Sequence, residues 1–319
     1  MGILMLPSFK NSSRRFGVEL EYNAFDGESR SRGDNDLPKG IYSVAYYLKQ
    51  ALLKNVDITK WQYTHDNKRW AIKPDSSCGI EVCSPPMRGK NGISEIKKVA
   101  TILSSHSEIK ADSRCSLHVH VEIADFTENQ IVSLLRNWVR FEPVFFILCN
   151  PGRWLNQYCI PVGLFSEFDS RQNFYYSNII HRFSESKYYS VNLFHYGKGR
   201  KKTIEFRTMG SEGCLNPEDT ENWLKIILCF VDFCAHQAGF PSTNLSYGDP
   251  SELFEFLHLN KYFVNDNEIL YWIIEKLSCV VDKPDNDYYI GFRYFWESYL
   301  KINQSEFKNI IEQLEKMLS

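Results

Sequence analysis

Five short segments of this chain alternate apolar and polar residues with period two, and acids and imidazoles fill many of the polar positions. Successive side chains of a β-strand point to opposite faces, so this alternation reads as strands resting one face on a core. In RFGVELEYNAF, Phe16, Val18, Leu20 and Tyr22 oppose Gly17, Glu19, Glu21 and Asn23. In GIEVCS, Ile80 and Val82 oppose Glu81 and Cys83. In CSLHVHVEI, Leu117, Val119, Val121 and Ile123 oppose Ser116, His118, His120 and Glu122. YYSVNLFHY sets Val191 and Leu193 against Ser190 and Asn192, and TIEFRT sets Ile204 and Phe206 against Glu205 and Arg207. RWAIK at 69–73 is a weaker sixth strand.

Segments with helical spacing separate the strands. They cover 40–54, 92–106, 127–149 and 217–238, and the region after 245 reads as helical, ending in an amphipathic helix at 304–318. Thr127 and Gln130 fit a capping box, with Ile131, Leu134, Leu135 and Trp138 as the apolar stripe. Asn216 stands as N-cap and Pro217 at N1 of the fourth helix. Loops are expected at 26–39, 84–92, 150–175, 197–202 and 278–290. No regular βαβ rhythm appears, which predicts an α+β fold with a largely antiparallel sheet backed by helices.

Composition narrows the function. The chain has 319 residues with 43% apolar, ample for a large core. It carries 37 basic against 39 acidic residues, a balance that argues against general nucleic-acid binding and against an anionic membrane surface. The most apolar stretch, Ile226 to Ala235, contains Asp232 and is too short to span a bilayer. The first residues hold too short an apolar run for a signal peptide, and Leu6 breaks the myristoylation pattern. Nine cysteines, an odd number with no C-x-x-C pair, read as reduced core residues and place the chain in the cytoplasm. Cys115 lies near His118, but no base–orienter pattern marks it as a nucleophile.

The chemistry sits on the polar strand faces. Ordinary solvent-facing strands carry Thr, Ser, Lys and mixed charge. Here they carry Glu19, Glu21, Glu81, His118, His120, Glu122, Glu205 and Arg207. Each pair alone has an ordinary explanation: a Glu-x-Glu is commonly a solvated face, and a Glu-x-Arg commonly a surface ion pair. On strands of one sheet they would crowd like charges together, and a cation would relieve that crowding. Mg²⁺ suits carboxylates and phosphate oxygens, and Mn²⁺ also accepts imidazole. Arg207 beside such ions suggests a bound phosphate. Lys198, Arg200, Lys201 and Lys202 form a basic loop before TIEFRT that could touch nucleotide phosphates or could be a solvated hairpin tip.

At these residues the chain resembles a known family. RRFGVELEYNAF, WAIKPDSSCGIEVCSPPMRG, RCSLHVHVEI, KYYSVNL and TIEFRTMG resemble, in order and approximate spacing, the motif series of the amidoligases in the glutamine-synthetase-like superfamily. The resemblance covers residues 14 to about 235 and implies an amidoligase catalytic domain over 1–240; the tail, 241–319, lies outside it and reads as a helical extension packed on that domain. It implies a curved half-barrel whose hollow face holds ATP, two or three divalent ions (Mg²⁺ or Mn²⁺) and the substrates. By motif position, Glu19, His118 and Glu205 would hold one ion, and Glu21 with Glu81 another. His120 would contact nucleotide phosphates, and Arg207 would steady the transferred phosphoryl group. Asp75, Ser84 and Asn192 fall at substrate positions, and Lys187 stands where many amidoligases have a basic residue. One departure is that the nearest acid before Glu81 is Asp75, six residues back where the synthetase has a Glu eight back, so the third ligand of that ion is not assigned.

The implied activity is ATP-dependent amide formation between a carboxylate and an amine through an acyl phosphate. Glu122 is the acid that could take the amine proton, by face alone. The partners are small-molecule, peptide or protein amines and carboxylates, and oligomeric state is left open. Two other readings use the same residues: a metal-dependent phosphotransferase of the kinase kind, and a non-catalytic metal- or ligand-binding protein.

Overall fold

A computed structural model describes residues 14–28, 37–52, 56–59, 68–149, 151–163, 176–199, 201–236, 252–253, 268–282 and 304–316. Eight strands run through it: β1 Arg15–Asn23, β2 Val56–Ile58, β3 Trp70–Asp75, β4 Gly79–Cys83, β5 Met87–Arg88, β6 Leu117–Glu122, β7 Val191–Asn192 and β8 Thr203–Phe206. They form one open sheet in the order β2-β3-β4-β1-β6-β8-β7, with β5 also paired to β1. β1 pairs antiparallel with β4, β5 and β6, and β3 pairs antiparallel with β4. β2 runs parallel to β3, so the sheet is mixed. The α+β class stands as expected from the sequence, and its sheet is not uniformly antiparallel.

Helices α1 Ile41–Leu52, α2 Gly89–Ser104, α3 Glu128–Cys149, α4 Tyr176–Glu185, α5 Phe194–Gly197, α6 Glu212–Leu215, α7 Pro217–His236, α8 Glu268–Asp282 and α9 Gln304–Lys316, with a 3-10 turn at Pro151–Leu155, complete the described elements. The capping box at the start of α3 is formed: Thr127 N–H donates to Gln130 Oε1 at 2.8 Å, and Gln130 N–H to Thr127 Oγ1 at 3.3 Å. None of the described helices is long and apolar enough to cross a membrane.

Contacts divide the chain into two compact units, one of residues 1–12, 123–204 and 228–319 and the other of 13–122 and 205–227. In the second unit, Val18, Leu20 and Tyr22 of β1, Ile80 and Val82 of β4, and Leu117 and Val119 of β6 are buried. They share their core with Ile41, Val44 and Leu48 of α1 and with Ile93, Ile96, Val99 and Leu103 of α2. In the first unit, Trp138 and Phe145 of α3 stack at 4.3 Å between ring centres, and Phe230 of α7 meets both edge-on. The buried stripe of α9 is Phe307, Ile310, Ile311 and Leu314. All nine cysteines are free, and eight of them are buried, consistent with small apolar core residues.

The strand expected across 188–196 is cut to two residues. Asn192 Oδ1 accepts the Phe194 N–H at 3.1 Å, and the chain turns at once into α5. A side-chain acceptor near a helix start competes with strand pairing in this way. The loop expected at 84–92 instead holds β5 and the first turn of α2.

Candidate active site

Register brings the polar positions together. Glu19 of β1 faces His118 of β6 on one side and Cys83 of β4 on the other, and Glu21 faces Glu81. Gly17 faces His120. Lys73 of β3 faces Glu81. β8 contributes Glu205, with Arg207 just beyond its end. All of these residues belong to the second unit.

The face they occupy is not solvated. Glu21 is 4% exposed, Glu81 5%, His118 2%, Glu205 4% and Arg207 8%, a degree of burial that charged groups tolerate only when paired or metal-bound. Glu19 is the most open of the acids. The bland explanation of the acids as a wet strand face therefore does not hold.

The contacts form one network. Ser116 Oγ donates to Glu21 Oε2 at 2.6 Å and lies 2.6 Å from His118 Nε2. With the hydroxyl proton directed at Glu21, Nε2 carries the imidazole proton, and His118 Nδ1 presents its lone pair. Arg207 Nη1 lies 3.3 Å from that Nδ1 and donates to Glu205 Oε1 at 2.7 Å. Nδ1 also faces Glu19 Oε2 at 3.3 Å and Glu205 Oε1 at 3.7 Å. His120 Nε2 approaches Glu19 Oε1 at 3.4 Å. Lys73 Nζ sits 2.6 Å from Glu81 Oε1, and Cys83 Sγ donates to the same oxygen at 3.0 Å.

Electrostatics splits the acids into two kinds. Burial pushes Glu21 up to about 8, helped by Asp75 and Glu81 and opposed by Arg207. Burial and Glu19 push Glu81 up to about 7 against the pull of Lys73. Burial acts on Glu205 in the same direction, but Arg207, His120 and His118 outweigh it and hold the carboxyl at about 2. Glu19 likewise lies well below the usual range, because His120, Lys73 and His118 overcome its burial. Burial and the Arg207 charge lower His118 to about 4, so its imidazole is neutral near pH 7.

Among the described residues, three donor triples lie close enough to share an ion, and the one without a thiol suits a hard divalent ion. Glu19, His120 and Glu205 each offer one atom, all within 4.8 Å of one another, and so do Glu19, Glu81 and Cys83, and Glu21, Asp75 and Cys78. The first triple joins Glu19 and Glu205 through His120, where the family resemblance would have used His118.

The remaining sequence candidates have more structural surroundings. Asp75 Oδ1 accepts Ser77 N–H at 2.7 Å and Cys78 N–H at 3.1 Å, closing the β3–β4 turn. Ser84 Oγ accepts Val18 N–H at 2.9 Å and donates to the Pro85 carbonyl at 3.0 Å. The Glu122 carboxylate is engaged by Arg15, whose Nε lies 3.0 Å from both oxygens, and that hydrogen-bonded partner lowers its pKa. In the first unit, Asn192 Nδ2 donates to the Lys187 carbonyl at 3.2 Å. There the Lys187 ammonium stands 5.1 Å from the Tyr188 ring centre, and Lys198 stands 5.4 Å from that of Phe194. Arg200 lies outside the described residues. Ser116, Lys73 and Cys83 were not singled out as site residues from sequence. The Ser116 and Cys83 positions on the polar faces were the available signal, and Lys73 gave none before the register was known.

A family model described as "Putative amidoligase enzyme" matches residues 12–231. No curated protein matches the chain. Among solved structures, a bifunctional glutathione synthetase from Pasteurella multocida is similar with a TM-score of 0.46 and 11% identity, covering 97% of this chain and 53% of its own. The chain thus spans about half the length of that protein. A glutamate–cysteine ligase from Francisella tularensis, in complex with AMP, is similar with a TM-score of 0.38 and 8% identity, covering 97% of this chain and 94% of its own.

Proposed function

Because the chain belongs to the amidoligase family, whose model covers residues 12–231, we propose that it is an ATP-dependent carboxylate–amine ligase working through an acyl phosphate. The observation that carries this reading is the meeting of half-buried Glu19 with buried Glu21, Glu81, His118, His120, Glu205 and Arg207 on one face of one sheet. A half-barrel curvature of that sheet, a catalytic domain over 1–240 with the helical extension 241–319, and a cytoplasmic setting belong to the same reading.

In the first step a substrate carboxylate oxygen attacks the γ-phosphorus of ATP, the bond to the β-phosphate oxygen breaks, and ADP leaves with the electron pair. In the second, an amine nitrogen attacks the acyl carbon, the bond to the phosphate oxygen breaks, and inorganic phosphate leaves as the amine gives up a proton. Mg²⁺ or Mn²⁺, two or three ions held by Glu19, His118 and Glu205 and by Glu21 and Glu81, would neutralise the triphosphate and hold it in line. Arg207, fixed by Glu205, directs its planar fork at the phosphoryl oxygens as charge builds on them. His120 and Lys198, with Arg200, would contact the nucleotide phosphates. Asp75, Ser84, Lys187 and Asn192 would shape the substrate positions. Glu122 would take the amine proton only after releasing Arg15.

The test is ADP release coupled to detection of an amide product, across a panel of amines and carboxylates with Mg²⁺ present. Glu205→Ala should lower kcat by at least about 100-fold, the scale on which loss of one charge-stabilising group acts, while circular dichroism stays unchanged. ADP formed without any amide would favour a phosphotransferase. Full activity in the variant would overturn the assignment of the site.

A further inference from the structure

Lys73 has no role in the reaction just proposed, yet it lies inside the acidic cluster. It is the β3 neighbour of Glu81 in register, its side chain is 18% exposed, and its ammonium meets Glu81 Oε1 at 2.6 Å. That oxygen is also the acceptor of the Cys83 Sγ contact, and Cys83 is the register partner of Glu19. Glu19, Glu81 and Cys83 together offer three ligand atoms within 4.8 Å of one another. The lysine therefore seats its charge on an oxygen of a three-ligand pocket.

We propose that Lys73 is the resident cation of this pocket, standing where a divalent ion would otherwise bind, so that this end of the cluster takes one ion fewer. The inference rests on the metal-binding reading given above. Two carboxylates held this close need compensation, and an ammonium on a strand supplies it without the dehydration that a small hard ion resists. The triple of Glu19 with His120 and Glu205 contains no thiol and is left for the ions that meet the phosphates. Removing the ammonium would open a pocket of two carboxylates and a thiol, a softer set than Mg²⁺ prefers and one that suits cobalt or zinc.

The test is a Co²⁺ titration of the full chain, read as ions bound per chain and as thiolate-to-cobalt absorption. Lys73→Met should bind one more Co²⁺ than the wild type and gain the thiolate band, which the double variant Lys73→Met, Cys83→Ser should lack. Lys73→Arg, which keeps the charge, should stay at the wild-type count. Should Lys73→Met fail to fold, Lys73→Gln takes the same comparison. An unchanged count with no new band would overturn the proposal. So would a wild-type thiolate band that Cys83→Ser alone removes, or a gained ion in Lys73→Arg. A wild type that binds no Co²⁺ would instead count against the metal-binding reading, while the difference between variant and wild type still judges Lys73.

Discussion

Ser116 has one hydroxyl proton, and where that proton points decides what His118 can do. Donation to Glu21 Oε2 leaves the imidazole N–H to donate into Ser116 Oγ, so the Nδ1 lone pair is turned toward Glu19 and Glu205. A ligand held in one tautomer by its neighbour binds a metal better than one free to flip, and loss of such a partner typically costs about 10–100-fold in affinity. Ser116→Ala should therefore weaken Mn²⁺ binding by about that factor. It should also destabilise the metal-free protein by about 1–3 kcal/mol, because Glu21 and His118 each lose a buried partner. A Mn²⁺ titration beside a urea melt checks both. Unchanged affinity would mean that something other than this hydroxyl orients the ring.

The β3–β4 hairpin is the element on which the Glu81 end of the site depends. Asp75 caps its turn, and Gly79 enters β4 at φ +123°, where a Cβ would stand 2.5 Å from the Ala24 backbone nitrogen. A side chain is strained at that φ and blocked by that neighbour, so Gly79→Ala should cost at least about 2 kcal/mol in a urea melt. A wild-type midpoint would refute the account. The strands that carry the site were legible because their period is two: β1, β4, β6 and β8 lie where alternation put them, with the acids and imidazoles on one face. At 188–196 alternation persists, but the Asn192 side chain turns the chain into a helix after a two-residue strand, and β2, three residues long, is too short to show a period. Pairing partners were beyond reach for a different reason. Lys73 opposite Glu81 and Cys83 opposite Glu19 are facts of register, and register arises from contacts between segments far apart in the chain.

At the scale of the whole molecule, buried carboxyls with raised pKa values occur in both units, and divalent ions should tell them apart. In the second unit, Glu21 and Glu81 belong to the cluster that the ions would neutralise. In the first unit, Glu142 of α3 accepts the Val162 N–H at 2.9 Å, the Gly163 N–H and the Ser190 hydroxyl, with Trp138 Nε1 at 3.4 Å. Burial nevertheless outweighs these donors and raises it from 4.5 to about 7. A carboxyl raised in the folded state contributes its full stability below its unfolded value and loses that contribution as pH rises through the folded one. Between about pH 4.5 and pH 7 the loss from Glu142 amounts to up to about 3 kcal/mol. Glu142→Gln cannot ionise, but its amide nitrogen faces the Gly163 N–H, so the variant should start less stable than the wild type at pH 5. The wild type should then lose ground to it as pH rises, and the gap should narrow or reverse by pH 8. Saturating Mn²⁺ should flatten the part of the pH dependence that comes from Glu21 and Glu81 while leaving the difference between wild type and Glu142→Gln intact. Urea midpoints at several pH values, with and without Mn²⁺, measure both. A gap that stays constant with pH would show that Glu142 is already ionised in the folded protein at pH 5, its four donors having prevailed over its burial.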